Sequence, residues 1–148
     1  MSTVQSARQE WMALLALADE RRLRAVWDGL DERPEYRVVR GPETGLVMVR
    51  ARAGNTGTRF NLGEMSVTRC TVALASGVIG HAWIAGTKAE HARLAALFDA
   101  MLQAQDTGDL LLAVVEPLRQ ARSAHLVRRR AEVRPSRVDF FTLVRGED

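Results

Sequence analysis

The sequence predicts an α+β fold, an antiparallel β-meander with helices packed on one face and a helical hairpin at the N-terminus. Three observations predict it. Apolar residues recur at helical spacing up to Pro34, alternate with a strand period from Glu35 to Ile84, and then return to helical spacing. Short turn-forming clusters separate the strand runs, which makes consecutive strands antiparallel. Helices before and after a run of strands suit a sheet covered by helices on one face.

Each element has its own signal. Val4, Ala7, Trp11, Leu14, Leu15 and Ala18 form the apolar stripe of a first helix. Asp19 is placed to cap a second helix that runs to about Leu30, with Leu23, Val26, Trp27 and Leu30 on one face. Pro34 closes this helical part. Glu35 to Arg40 reads as a strand, Gly41 to Gly45 as a turn, and Leu46 to Ala53 as a second strand. Val47, Val49 and Ala51 share one face of that strand, and Arg50 and Arg52 the other. Gly54-Asn55-Thr56-Gly57 turns the chain, Arg59 to Leu62 pairs back, and Gly63 breaks the run. Ser66 to Ala75 is the longest strand candidate, and Ser76-Gly77 turns it into Val78 to Ile84. Thr87 and Glu90 have the spacing of a capping box before a helix with Leu94, Leu97, Phe98, Met101 and Leu102 inside. Thr107 or Asp109 starts a further helical stretch that Pro117 interrupts or kinks, with helix resuming to about Arg130.

The 148 residues suit one domain, 1–148, with segment 132–148 able to extend onto a partner. Cys70 is the single cysteine, so no intrachain disulfide forms, and its strand-like flanks predict a buried thiol. Residues 1–8 lack the apolar core of a signal peptide, and no apolar run approaches the ~20 residues of a membrane span, so the expectation is a cytoplasmic protein. Net charge is +3, and 20 of the 21 basic residues are arginine, which reflects base composition as much as phosphate chemistry. Their distribution is more informative. Leu118 to Arg137 holds seven arginines and a single acid, Glu132. That stretch fits an anionic partner, or equally a solvated helix face.

Motifs for chemistry are missing. Gly54 to Arg59 is glycine-rich but lacks the Gly-Lys-Ser/Thr ending of a phosphate loop and joins two strands. His81, His91 and His125 form no pair at metal-ligand spacing, so no metal site is expected. His81 shares a strand face with Trp83 and reads as a structural histidine. Trp11 and Trp27 lie on helix stripes and read as core. No catalytic or cofactor-binding residue is therefore assigned.

Several segments together resemble the G-subunit family of the bacterial carbon–phosphorus (C–P) lyase core complex. They are Arg8 to Met12, Glu43 to Val47, Ala51 to Phe60, Ala131 to Val133 and, most specific, Ser136 to Gly146. The resemblance runs from about Arg8 to Gly146. It implies a place in phosphonate catabolism. In this family the G, H, I and J subunits assemble into a two-fold core, with ATP-binding accessory subunits. The assembly displaces adenine from MgATP with an alkylphosphonate, giving ribose 1-phosphonate 5-triphosphate. A separate iron–sulfur radical subunit later breaks the carbon–phosphorus bond. The resemblance implies that the I subunit is the catalytic centre and that this chain is inactive alone. A small basic nucleic-acid-binding domain is the alternative from a different class, and a stand-alone nucleotide-binding enzyme a third.

The tail supplies the candidate interface. Val138, Phe140 and Thr142 fall on one strand face and Phe141 and Leu143 on the other, so both faces are partly apolar. Either the tail completes this domain's own sheet, or it adds to a partner. In the second case Phe140 and Phe141 anchor the contact. Arg137, Asp139 and Arg145 then provide its charged rim.

Overall fold

The computed structural model describes residues 3–53, 57–104 and 108–133. In chain order the elements are α1 (Thr3–Leu17), α2 (Glu20–Asp28), β1 (Tyr36–Arg52), β2 (Arg59–Leu74), β3 (Ile79–Ala85) and α3 (Ala89–Leu102). A short α4 (Gly108–Leu110), a π-helical turn (Leu111–Val115) and α5 (Glu116–Val133) follow. The strands form one antiparallel sheet in the order β1-β2-β3, so the α+β meander is as expected.

Helix α3 is the centre of the molecule. It lies across β2 and β3, and α1 and α2 each pack on it. Ala92, Leu94, Ala96, Leu97, Phe98 and Ala100 are almost completely buried, so α3 is covered nearly all round and not along one stripe. From the sheet come Cys70, Val72, Leu74, Ala82 and Ile84, and from the N-terminal helices Trp11, Leu14, Leu15, Leu23 and Trp27. Trp27 stands edge-on to both Tyr36 and Phe98, with ring centroids 6.0 and 6.5 Å away. Asp19 caps α2 as its position suggests, its Oδ1 accepting from the Arg21 N–H at 2.9 Å.

The strands depart from the expected segmentation. The expected turn at Gly41 to Gly45 lies inside the 17-residue β1, and Gly63 does not interrupt the 16-residue β2. Pairing continues through both sites, with register shifts between Arg40 and Glu43 and between Val49 and Arg50. Gly41 occupies the irregularity with φ +76°, where a Cβ would lie 2.5 Å from the Arg69 carbonyl oxygen. A Gly-Pro pair inside a strand marks a bulge here, not a reversal. Gly54, Asn55 and Thr56 lie outside the described residues, and β1 and β2 pair up to Arg52↔Arg59 on either side of them.

Two helix signals also resolve differently. Thr87 does not cap α3, because Lys88 holds the cap position and has no side-chain cap bond. Thr68 of β2 takes that role: its hydroxyl accepts from the Lys88 N–H at 3.0 Å and donates to the Gly86 carbonyl at 2.7 Å. Pro117 follows the π-helical turn, and helix continues through it to Val133. Pro117 has no N–H for the Ala113 carbonyl and its ring crowds that carbonyl in a regular α-helix, so the wider turn relieves both problems.

Candidate interaction surface

The buried polar groups are structural. Asp99 of α3 is fully buried and ties α1 and β3 to its own helix through one carboxylate. Its oxygens accept from Arg8 Nε and Nη2 at 3.1 and 2.8 Å, from Trp11 Nε1 at 3.0 Å and from the His81 backbone N–H at 2.9 Å. Gln103 Nε2 is 3.4 Å from the same group. Every lone pair of the carboxylate is engaged, which leaves no oxygen for a substrate. His91 is buried against α1, its Nε2 bonded to the Leu15 carbonyl at 2.8 Å. His81 is exposed, with Nδ1 at 3.1 Å from Thr71 Oγ1, and His125 lies on exposed α5. Cys70 is buried as expected, and burial pushes its thiol pKa up, against the reactivity of a nucleophile. Among the described residues no group of three His, Cys, Asp or Glu side chains is arranged to hold a metal. No described helix is long and apolar enough to cross a membrane.

The surface is more informative than the interior. Leu118 of α5 is buried, and residues 119–132 after it are all exposed. At 1.5 Å per residue this is roughly 20 Å of helix standing clear of the body. Arg119 at its base reaches back to Glu10 at 2.8 Å and to Glu116, and its hydrogen bond holds the Glu10 carboxyl below the usual range. Arg122, Arg128, Arg129 and Arg130 have no ion pair among the described residues. Leu126 and Val127 lie between them, exposed. A helix polar nearly all round, with isolated apolar residues and unmatched cations, suits a bridging role between bodies. Beside the base of this helix a groove of about 570 Å³ is lined by Leu30, Pro34, Leu74, Met101, Leu110 and Ala113 among others. Glu32, Arg33, Ser76 and Asp109 also line it, without a histidine or cysteine among the described residues there. The interface residues expected in the tail, Arg137, Asp139, Phe140, Phe141 and Arg145, lie outside the described residues.

Fold and surface together define an α+β protein whose polar interior is spent on structure and whose cationic, apolar-flecked extensions face outward. Sequence comparison gives the family. The phosphonate metabolism protein PhnG family matches residues 6–146, and the chain belongs to it. A relative from Rhizobium meliloti (strain 1021), the alpha-D-ribose 1-methylphosphonate 5-triphosphate synthase subunit PhnG, is 48% identical over 141 residues. That alignment covers 95% of this chain and 90% of the relative.

Asp99 was not singled out in the sequence. The signal was there: one acid inside the apolar run Ala95 to Leu102, a position where an ion is tolerated only if fully bonded.

Proposed function

We propose that this chain is a non-catalytic or co-catalytic subunit of the phosphonate C–P lyase core complex, inactive alone. In that reading it supports displacement of adenine from MgATP by an alkylphosphonate, giving ribose 1-phosphonate 5-triphosphate. The observation that carries the reading is the 48% identity, along nearly the whole chain, to a subunit of a synthase named for that product. The partners in this reading are the H, I and J subunits and ATP-binding accessory subunits, in the cytoplasm. MgATP and phosphonate belong to the assembled complex, not to a site on this chain.

Displacement at the ribose carbon needs a proton donor for the leaving base and a group that stabilises an oxocarbenium-like centre. Among the described residues the acids with lowered pKa, Glu10, Glu43 and Glu90, are each held by arginine, which makes them poor proton donors. The reaction centre in this reading lies on another subunit.

The tail is the first place to test. Phe140→Ala with Phe141→Ala should abolish assembly with the I subunit and leave the isolated fold largely intact. Two aromatic anchors at ~2 kcal/mol each correspond to roughly a thousandfold loss of affinity. Pull-down and circular dichroism on the double variant decide it. Normal assembly would remove the tail from the interface, and global unfolding would assign it to this domain's own core. The basic α5 also favours a second reading, nucleic-acid binding, which requires log affinity to fall linearly with log salt.

A further inference from the structure

The outer half of the β1–β2 hairpin is a two-stranded arm. β3 pairs with β2 only from Val67 to Ala73, so the pairs from Leu46↔Ser66 out to Arg52↔Arg59 have no third strand among the described residues. Seven residues of β1 carry the arm roughly 20 Å past the sheet. A two-stranded hairpin is marginally stable alone in water. This one also exposes Leu46, Met48, Phe60, Leu62 and Met65.

One face of the arm is organised. Strand alternation and register put Leu46 and Met48 on the same side as Arg50, Arg52 and the cross-strand Arg59. Leu46 is 68% exposed and Met48 51%. None of the three arginines has an ion pair among the described residues, whereas Arg8, Arg24, Arg33, Arg40, Arg69, Arg93 and Arg119 all lie against carboxylates. Glu64, opposite Met48, is the one acid on this face among the described residues. The face therefore runs from an apolar base to a cationic tip.

We propose that this face of the arm, Leu46, Met48, Arg50, Arg52 and Arg59, docks into a partner protein whose matching groove is apolar at one end and lined with carboxylates at the other. The inference rests on the subunit reading above and names the surface that serves it. Charge complementarity selects the occupant. Arm-to-arm pairing of two copies would set six arginines against two glutamates, which like-charge repulsion opposes. Nucleic acid would match the arginines but leave Leu46 and Met48 against a phosphate backbone.

The test compares three variants in co-purification and affinity measurements with the other core subunits. Leu46→Asp with Met48→Asp removes the apolar base. Arg50→Glu, Arg52→Glu and Arg59→Glu together reverse the tip. Arg21→Glu with Arg22→Glu changes exposed side chains on α2 that have no ion pair among the described residues, as a control. Both arm variants should bind at least about a hundredfold more weakly, as loss of interface anchors predicts, with wild-type melting profiles and an unaffected control. If the apolar variant fails to fold, the arginine variant alone carries the same expectation. Wild-type affinity in a folded arm variant overturns the proposal. So does loss of self-association or of RNA binding while subunit assembly stays normal. A wild-type chain that binds none of the subunits overturns the subunit reading itself, and the arm's role in it.

Discussion

At the scale of single residues, Asp99 and Gly80 carry the most consequence. Asp99→Ala would leave Trp11 Nε1 and the His81 N–H without their acceptor and Arg8 without its counter-ion. Breaking a buried, bonded charge from one side predicts a loss of about 3 kcal/mol, measurable by urea unfolding. Gly80 is where β3 meets α3 most closely: an added Cβ would lie 2.0 Å from the Ala96 carbonyl oxygen and 2.6 Å from the Ala100 nitrogen. Gly80→Ala must push helix and strand apart, so a loss of about 3 kcal/mol, or roughly 6–12 °C in Tm, is expected. Melting within about 2 °C of wild type would contradict the close approach. Trp11, Trp27 and Cys70 were legible as core because each falls in a periodic pattern. The lone acid in the apolar run marks Asp99 as a group that needs partners but not which ones, and Gly80 has no local signal because its role depends on contact with α3.

At the scale of elements, α2 and α3 are joined by charge as well as packing. Glu90 of α3 binds Arg93 on its own helix and lies 3.3 Å from Arg24 of α2. Arg93 also reaches the Tyr36 hydroxyl. The Arg93 hydrogen bond is the main reason the Glu90 carboxyl sits below its ordinary 4.5. A carboxylate with a depressed folded pKa contributes stability that is complete above 4.5 and is lost as pH falls through the folded value. Glu90→Gln should therefore lower stability by about 1 kcal/mol at pH 7. The difference from wild type should shrink as pH falls below 4.5. A gap that stays constant in thermal melts down to pH 3 would refute the assignment. The same scale shows what sequence periodicity captures. Helix α3 and the hairpin at Ser76-Gly77 follow from stripe and turn chemistry. The continuity of β1 and β2 does not, since Gly41-Pro42 and Gly63 signal breaks locally and only the cross-strand register shows that pairing runs through them. The cap of α3 is similarly non-local: Thr68 lies 20 residues before the Lys88 N–H it accepts from.

For the whole molecule, a well-packed centre carries extensions that it does not cover. The body satisfies its polar groups, with no buried side-chain N or O atom lacking a partner among the described residues. Beyond it, the arm and the outer part of α5 present arginines that have no ion pair among the described residues, beside exposed Leu46, Met48, Leu126 and Val127. Such surfaces are what a subunit offers to other chains, and the sequence showed the cations of α5 but not that the helix stands clear. The most direct measurement of the subunit account is adenine release from MgATP and methylphosphonate by the remaining core and accessory subunits, with and without this chain. The account predicts no release from this chain alone, and release from the other subunits that depends on its addition. Sustained release by the purified chain, or equal release when it is omitted, would contradict it.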